Sequence, residues 1–324
     1  MIRNSLVCAV ILCLGLSSPL LSAQEESYAP RLPQSVLDIL PPSQRVSGPM
    51  GEMQFTQRDC RQLPQEQVRR RIVYTAIQEW AFFGFSTDLQ AREPVSDSSG
   101  PRRPFVYPRL SPAESDRLAS SIAGYWSATP NSDWILQRQN SRWQSDGTSA
   151  RWRDAWSAAF ISWVMCEGGL GEPQQFKRAI AHHTYIDQAI LAAQNKDQQA
   201  MYKAFSPGEQ SIVPGDLLCR GSRPAYRSIE QRAAQLGEGA RTHCDIVVKV
   251  DAENEQISVI GGNVRATVRM KVLAATTNNA QELYPIADNG RQLFAHLKLM
   301  TPAIEADALD HSPTIMHCAC NPTL

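Results

Sequence analysis

Net charge is the first thing this 324-residue chain lacks: 32 Lys and Arg balance 32 Asp and Glu. No general field draws it toward nucleic acid or an acidic surface, so no nucleic-acid partner is expected. A bilayer-spanning apolar run is also missing. The run from Leu6 to Leu16 is too short to cross a membrane, and nothing later in the chain is longer and as apolar. No internal repeat is present. Pairs of metal ligands at zinc-like spacing are absent too. His317-Cys318-Ala319-Cys320 stands alone, so neither a metal nor a cofactor is expected.

The N-terminus reads as an export signal. Arg3, the short apolar run and Ser17-Ser18-Pro19-Leu20-Leu21-Ser22-Ala23 form a basic, then apolar, then small-residue pattern, so residues 1–23 are expected to be removed. Neither Cys8 nor Cys13 follows the small residue that lipid attachment needs. A periplasmic or secreted product is expected, with no transmembrane segment in the mature chain; a retained N-terminal anchor is the alternative. Six of the eight cysteines lie beyond residue 23. In an oxidising compartment they suggest disulfides. Cys219 and Cys244 sit in two apolar runs that read as neighbouring strands, which makes them the first pair to expect.

Residues 24–63 are rich in Pro, Gln and Ser, show no sustained period and read as an extended arm. Residues 64–300 read as the compact domain and 301–324 as a tail with a cysteine pair. Val68, Ile72, Ala76 and Trp80 recur every four residues and predict an amphipathic helix that Gly84 ends. Arg69-Arg70-Arg71 reads as its wet face. Ser111-Pro112-Ala113-Glu114 is a helix start with a cap, a first-turn proline and a reciprocal Glu. A helix opening at Trp156-Ser157 ends near Gly168-Gly169, and another is expected from about Gln175 to Gln194. Beyond Pro214-Gly215-Asp216, a turn in which Asp216 is expected to bond local backbone, the period shortens. Strands are expected at Leu217–Cys219, His243–Val250, Gln256–Ile260, Ala266–Leu273 and Leu293–Leu299. Helices first and an antiparallel sheet after make an α+β domain.

Four residues are candidates for chemistry. Ser157 near a helix start is either a cap and a small packing residue or a nucleophile beside unpaired N–H groups that would hold an oxyanion. Its hydroxyl ionises far too weakly to act alone and needs a histidine within hydrogen-bond reach. His243, heading a strand, is the histidine expected to meet it. Asp245 shares its face two residues on, and Asn263 ends the next strand; either would orient the ring. For a serine nucleophile a carboxylate is the better partner, because an Asn in that place yields the wrong tautomer. The structural alternatives are a satisfied strand-end histidine and a bulge or turn at Gly261-Gly262-Asn263. Trp156, His182 and Tyr185 are candidates for substrate binding, the last two sharing a helix face.

Trp156-Ser157-Ala158-Ala159-Phe160, His182-x-x-Tyr185-Ile186, Pro214-Gly215-Asp216-Leu217-Leu218-Cys219, His243-Cys244-Asp245-Ile246-Val247 and Gly261-Gly262-Asn263 resemble the bacterial domain of unknown function 2272 family over about residues 66 to 300. That family is more distantly similar to the CHAP-type amidases of the papain-like superfamily, which carry cysteine where this chain has Ser157. The resemblance implies a papain-like (CHAP/NlpC-type) core with helices packed on an antiparallel sheet. It further implies Ser157 as nucleophile, His243 as base, Asn263 as orienter and peptidoglycan amide bonds as substrate. Three readings stand side by side: an exported hydrolase of amidase type, a non-catalytic module binding peptidoglycan or protein in the same groove, and a serine esterase or acyltransferase.

Overall fold

A computed structural model describes residues 29–90, 112–279, 282–287 and 292–320; the expected signal segment lies outside them. Chain order runs from a 3-10 turn at Pro42–Arg45 through β1 (Val46–Ser47), β2 (Gln54–Phe55), α1 (Gln65–Phe82), β3 (Thr87–Leu89), α2 (Pro112–Ser127), α3 (Asp133–Asp146), α4 (Ser157–Glu167) and α5 (His183–Ala193). Then come β4 (Tyr202–Phe205), β5 (Leu217–Arg223), α6 (Ile229–Ala233), β6 (Arg241–Asp251), β7 (Gln256–Val264), β8 (Thr267–Thr277), β9 (Leu283–Pro285), β10 (Leu293–Leu299) and α7 (Pro313–Cys320).

The large sheet has the order β3-β8-β7-β6-β5-β10-β4, with β9 on β8. Its central neighbours pair antiparallel, and β3 joins β8 in parallel, which makes the sheet mixed. One face carries the helices. Phe160, Trp163 and Val164 of α4 pack with Ile72 and Val73 of α1 and with Ile246, Val248 and Ile260 of the sheet, all fully buried. The opposite face holds a smaller core of Leu218, Val247, Val259 and Leu273. The expected α+β class is therefore the observed one.

α4 is buried on every side from Ala158 to Glu167, as its near-continuous apolar sequence requires. Two disulfides hold this framework. Cys219 and Cys244 face each other across β5 and β6 with Cα atoms 4.1 Å apart, the pairing expected from the sequence. Cys60 is joined to Cys166 near the end of α4, over 106 residues of chain.

The described part of the Pro-rich segment, 29–63, is laid against the helices instead of extending away from them. Ala29, Leu32, Leu37 and Ile39 are buried. Residues 29–41 form no helix or strand, and side chains satisfy part of their backbone: Leu32 N–H donates to Gln78 Oε1 at 2.9 Å and Leu40 N–H to Glu167 Oε2 at 2.8 Å. Arg31 pairs with Glu79 at 2.6 Å and Arg45 with Glu167 at 2.6 Å. Gly124 of α2 lets this segment close in, since a Cβ there would sit 1.8 Å from the Pro42 carbonyl oxygen. The tail at 301–324 likewise contains a short helix, α7, and buries Ala308 and Leu309.

Two local expectations differ from what is found. Arg69, assigned to the wet face of α1, is 1% exposed and donates to Asp216 Oδ1 at 2.9 Å and Pro214 O at 2.8 Å. The helix expected from about Gln175 begins only at His183. The preceding residues form turns that the Gln188 side chain ties down, accepting from Lys177 N–H at 2.7 Å and donating to Pro173 O at 3.1 Å.

Candidate active site

The late start of α5 decides the site, because it puts His182 at the helix N-cap instead of mid-helix. From there the ring reaches Ser157 at the first position of α4, with Nε2 2.7 Å from the Ser157 hydroxyl. His182 is 4% and Tyr185 1% exposed, whereas Ser157 keeps partial access to solvent. The sequence reading placed His243 on Ser157 and gave His182 to substrate binding. The histidine bonded to the hydroxyl is His182.

Nδ1 of His182 faces two donors. One is the phenol of Tyr185, in close contact with it. The other is the backbone N–H of Cys244 at 3.3 Å. That N–H is free for the purpose because the close Cys219–Cys244 pair is the kind that exchanges no ladder bonds, while the β6–β7 pairing starts only at Ile246. A backbone N–H can only donate, so Nδ1 is an acceptor and the single ring proton rests on Nε2, pointing at Ser157 Oγ. Burial, and then the neighbouring His243, push the His182 pKa well below the ordinary histidine value, so the ring is neutral at physiological pH. Burial and the nearby Asp245 charge raise the Tyr185 phenol well above its usual value, which keeps it neutral as well.

His243 lies in the next layer, its ring centroid 5.1 Å from that of His182. Its Nε2 donates to Asp245 Oδ1 at 2.9 Å. Asp245 also accepts from Arg220 Nη2 at 2.6 Å and from Lys271 Nζ at 2.9 Å. Burial alone would raise its pKa, but Lys271, His243 and Arg220 together hold it well below the usual carboxylate range. Of the two candidate orienters of His243, Asp245 is thus the one bonded to it. Gly261 makes room for this group: a Cβ there would lie 1.9 Å from Asp245 Oδ1 and 3.1 Å from His243 Nε2. Gly262, facing the other way, admits Phe160 of α4, whose Cβ would be 2.5 Å from a methyl at that position.

Asn263 follows these glycines with φ 56° and stands on the wall of a cavity of about 190 Å³ that Trp156, the residue before Ser157, also lines. Leu118, Ile122, Trp143, Trp152 and Trp156 line the same cavity. Trp156 also stacks among aromatics, with its ring 5.8 Å from Tyr125 and 5.9 Å from Phe83.

The N-terminus of α4 has no side-chain cap and no acidic residue in its first turn. Its first N–H groups and the positive end of the helix dipole are therefore available to a negatively charged oxygen. Together the site offers a hydroxyl bonded to a neutral, buried imidazole at an uncapped helix N-terminus and a fixed carboxylate one ring away, and the neighbouring Trp156 lines a cavity of mixed polar and apolar walls.

Residues 114–299 match the family described as "Uncharacterized protein conserved in bacteria (DUF2272)". The chain belongs to that family. The matched part contains Ser157, His182, Tyr185, His243, Asp245 and Asn263, and also Arg220 and Lys271. No curated protein and no solved structure matched the chain.

Sequence reasoning passed over Arg220, Lys271 and the Cys244 N–H. The signal for the last was the expected Cys219–Cys244 bridge, which fixes the direction of that N–H. Arg220 and Lys271 look like ordinary strand cations until the register sets both beside Asp245. Among the described residues no three His, Cys, Asp or Glu side chains converge as a metal site would need, and no helix is long and apolar enough to cross a membrane. The two disulfides fit an extracytoplasmic location.

Proposed function

We propose that this protein is an acyl hydrolase with Ser157 as nucleophile and His182 as its base, acting on an amide or ester carbonyl outside the cytoplasm. The observation that carries this reading is the 2.7 Å bond between Ser157 Oγ and His182 Nε2 at the uncapped start of α4. For attack, the ring proton moves to Nδ1 and is donated to the Tyr185 oxygen, leaving the Nε2 lone pair toward Ser157. Both tautomers are neutral, so the exchange buries no charge. It leaves the buried Cys244 N–H without its acceptor, at about 1–3 kcal/mol.

Ser157 Oγ then bonds to the carbonyl carbon while its proton passes to Nε2. The oxyanion rests on N–H groups at the start of α4. Collapse breaks the bond to the leaving group, which takes the proton from Nε2, and water releases the acyl group by the same steps. Asp245 favours the transient imidazolium through its charge at a distance, the direction in which it acts on His182.

A serine-bearing helix followed by a His-bearing strand and a Gly-Gly-Asn strand end supports a papain-like core of CHAP type. That resemblance, with the disulfides, favours peptidoglycan amide bonds as substrate. The resting tautomer, in which His182 donates to Ser157, is the feature that favours the second reading, a module that binds cell-wall peptide without cleaving it.

A fluorophosphonate probe separates the two. Labelling of the folded protein at Ser157, lost in Ser157→Ala, is the expected result; a folded sample that stays unlabelled sinks the hydrolase. The pH dependence carries a second check. The base works neutral, and activity is lost as pH falls through its folded pKa. Because that pKa lies below the ordinary 6.5, the acid limb of labelling is expected below pH 6.5. A limb at or above that value would contradict His182 as the base.

A further inference from the structure

We propose that the cavity lined by Trp156, the residue before Ser157, is a binding pocket for a small uncharged group that carries a hydrogen-bond acceptor on an apolar body of about six to eight heavy atoms. The proposal deepens the hydrolase reading by naming the class of group its substrate presents next to the scissile carbonyl.

Size comes first. The cavity measures about 190 Å³, and an apolar cavity of about 150 Å³ in another protein binds benzene. Its floor is apolar: Leu118, Ile122, Trp143 and Trp156 are all buried. No Asp, Glu or Lys lines it, and its one cation, Arg151, is already engaged within the protein. A charged group would therefore lose its hydration without gaining a partner.

Polarity comes second. Ser115 Oγ and Trp152 Nε1 both belong to lining residues, and both are buried without a hydrogen-bond partner among the described residues. An indole N–H can only donate. A ligand that satisfies it must accept, as a carbonyl oxygen does.

Third, the wall nearest the strand end is a tight hairpin turn between β7 and β8, which fixes its position. Asn263, Arg265 and Ala266 have φ of 56°, 53° and 65°, a conformation that non-glycine residues rarely adopt. Val264 pairs with Thr267, so Arg265 and Ala266 are the central residues of a two-residue hairpin turn that requires positive φ at both, and Asn263 is of a type that tolerates the same conformation. The turn holds Asn263 and Ala266 on the cavity wall, and Trp156, the residue before Ser157 in the chain, forms part of the same wall.

The test is ligand binding, independent of any chemistry at Ser157. The full chain and Ser157→Ala are titrated with hexanamide, benzamide, hexanoate and hexylammonium, with intrinsic tryptophan fluorescence and thermal shift as readouts. Saturable binding of the two neutral amides to both proteins is expected, at least tenfold tighter than the two charged analogues. Ile122→Trp, which fills the cavity, is expected to weaken amide binding at least tenfold. Should that variant not fold, Trp152→Phe removes the donor together with one ring of the indole, and weakening of at least about three- to tenfold is expected from the loss of one neutral hydrogen bond. The proposal is overturned if neither amide binds, if the charged analogues bind as well, or if amide binding ignores the substitution made. Amide binding without fluorophosphonate labelling would keep the pocket and remove the hydrolase. Labelling without amide binding would do the reverse.

Discussion

His182→Gln is expected to lower fluorophosphonate labelling and turnover by about 10²- to 10⁴-fold, the contribution of a positioned general base. Glutamine has a carbonyl that can still accept the Cys244 N–H, so the strand end keeps its partner, but it cannot take the proton of Ser157. The companion variant is His243→Gln. His243 Nε2 is committed to Asp245, and the histidine bonded to Ser157 is the other one, so labelling is expected to fall by less than about tenfold, the factor that 1.4 kcal/mol of altered electrostatics would produce. Comparing the two rates of labelling decides between the histidines. A large loss in His243→Gln with little in His182→Gln would return the base to the strand residue and leave His182 as a donor to the serine. Equal, small losses in both would mean that neither ring activates Ser157.

The second large effect concerns stability. Asp216→Ala is expected to cost about 3–5 kcal/mol, the range for breaking one partner out of a buried ion pair. For a chain of this size that lowers the melting temperature on the order of 10 °C. Asp216 is fully buried and accepts four bonds: from Arg69 at 2.9 Å, His296 at 2.8 Å, Val213 N–H at 3.1 Å and Leu299 N–H at 3.0 Å. Its removal strands the Arg69 guanidinium among neutral carbonyls and leaves two backbone donors bare at the crossing of α1, β5 and β10.

The sign of the pH effect follows from the same contacts. Burial works to raise the Asp216 pKa, yet His296 and Arg69 hold it below the ordinary 3.8. A carboxylate with a depressed folded pKa contributes stability that is present above its unfolded value and is lost as pH falls from there through the folded value. The wild-type chain is therefore expected to lose stability more steeply below about pH 3.8 than Asp216→Asn, which has no such proton to bind. Calorimetry of the two between pH 3 and 7 checks this. Parallel curves, or a Tm drop in Asp216→Ala of only one or two degrees, would show that the cluster is not a main support of the fold.

Much of this protein was written in local pattern. Val68, Ile72, Ala76 and Trp80 repeat at the helical period and are buried in α1, although the helix is buried on every side from Ile72 to Ala81 and not along the one stripe their spacing predicts. The strands from Leu217 to Leu299 and the Cys219–Cys244 bridge follow from period-two runs and from hairpin neighbours that must lie in register. Family membership was legible in five short motifs, and Ser157, at the first position of its helix, in one of them. Other features were not local. The arm at 29–63 has no period of its own, and it packs only because Gln78 and Glu167, far along the chain, satisfy its backbone. Arg69 looked solvated because its partner Asp216 is 147 residues away.

The site itself divides along the same line. Ser157, His182, Tyr185, His243 and Asp245 were each visible as residues able to do chemistry. Which histidine meets the serine was not, because it depends on where α5 begins. That boundary is set by Gln188 binding the loop behind it, a tertiary contact with no periodic signal. The tautomer of His182 is further still from sequence, since it rests on the direction of one strand N–H. Sequence by itself determined the elements and the inventory of reactive groups, through periodicity and residue chemistry. Only the tertiary structure decided which of those groups touch, because side-chain pairing across elements is fixed by packing and register and not by spacing along the chain.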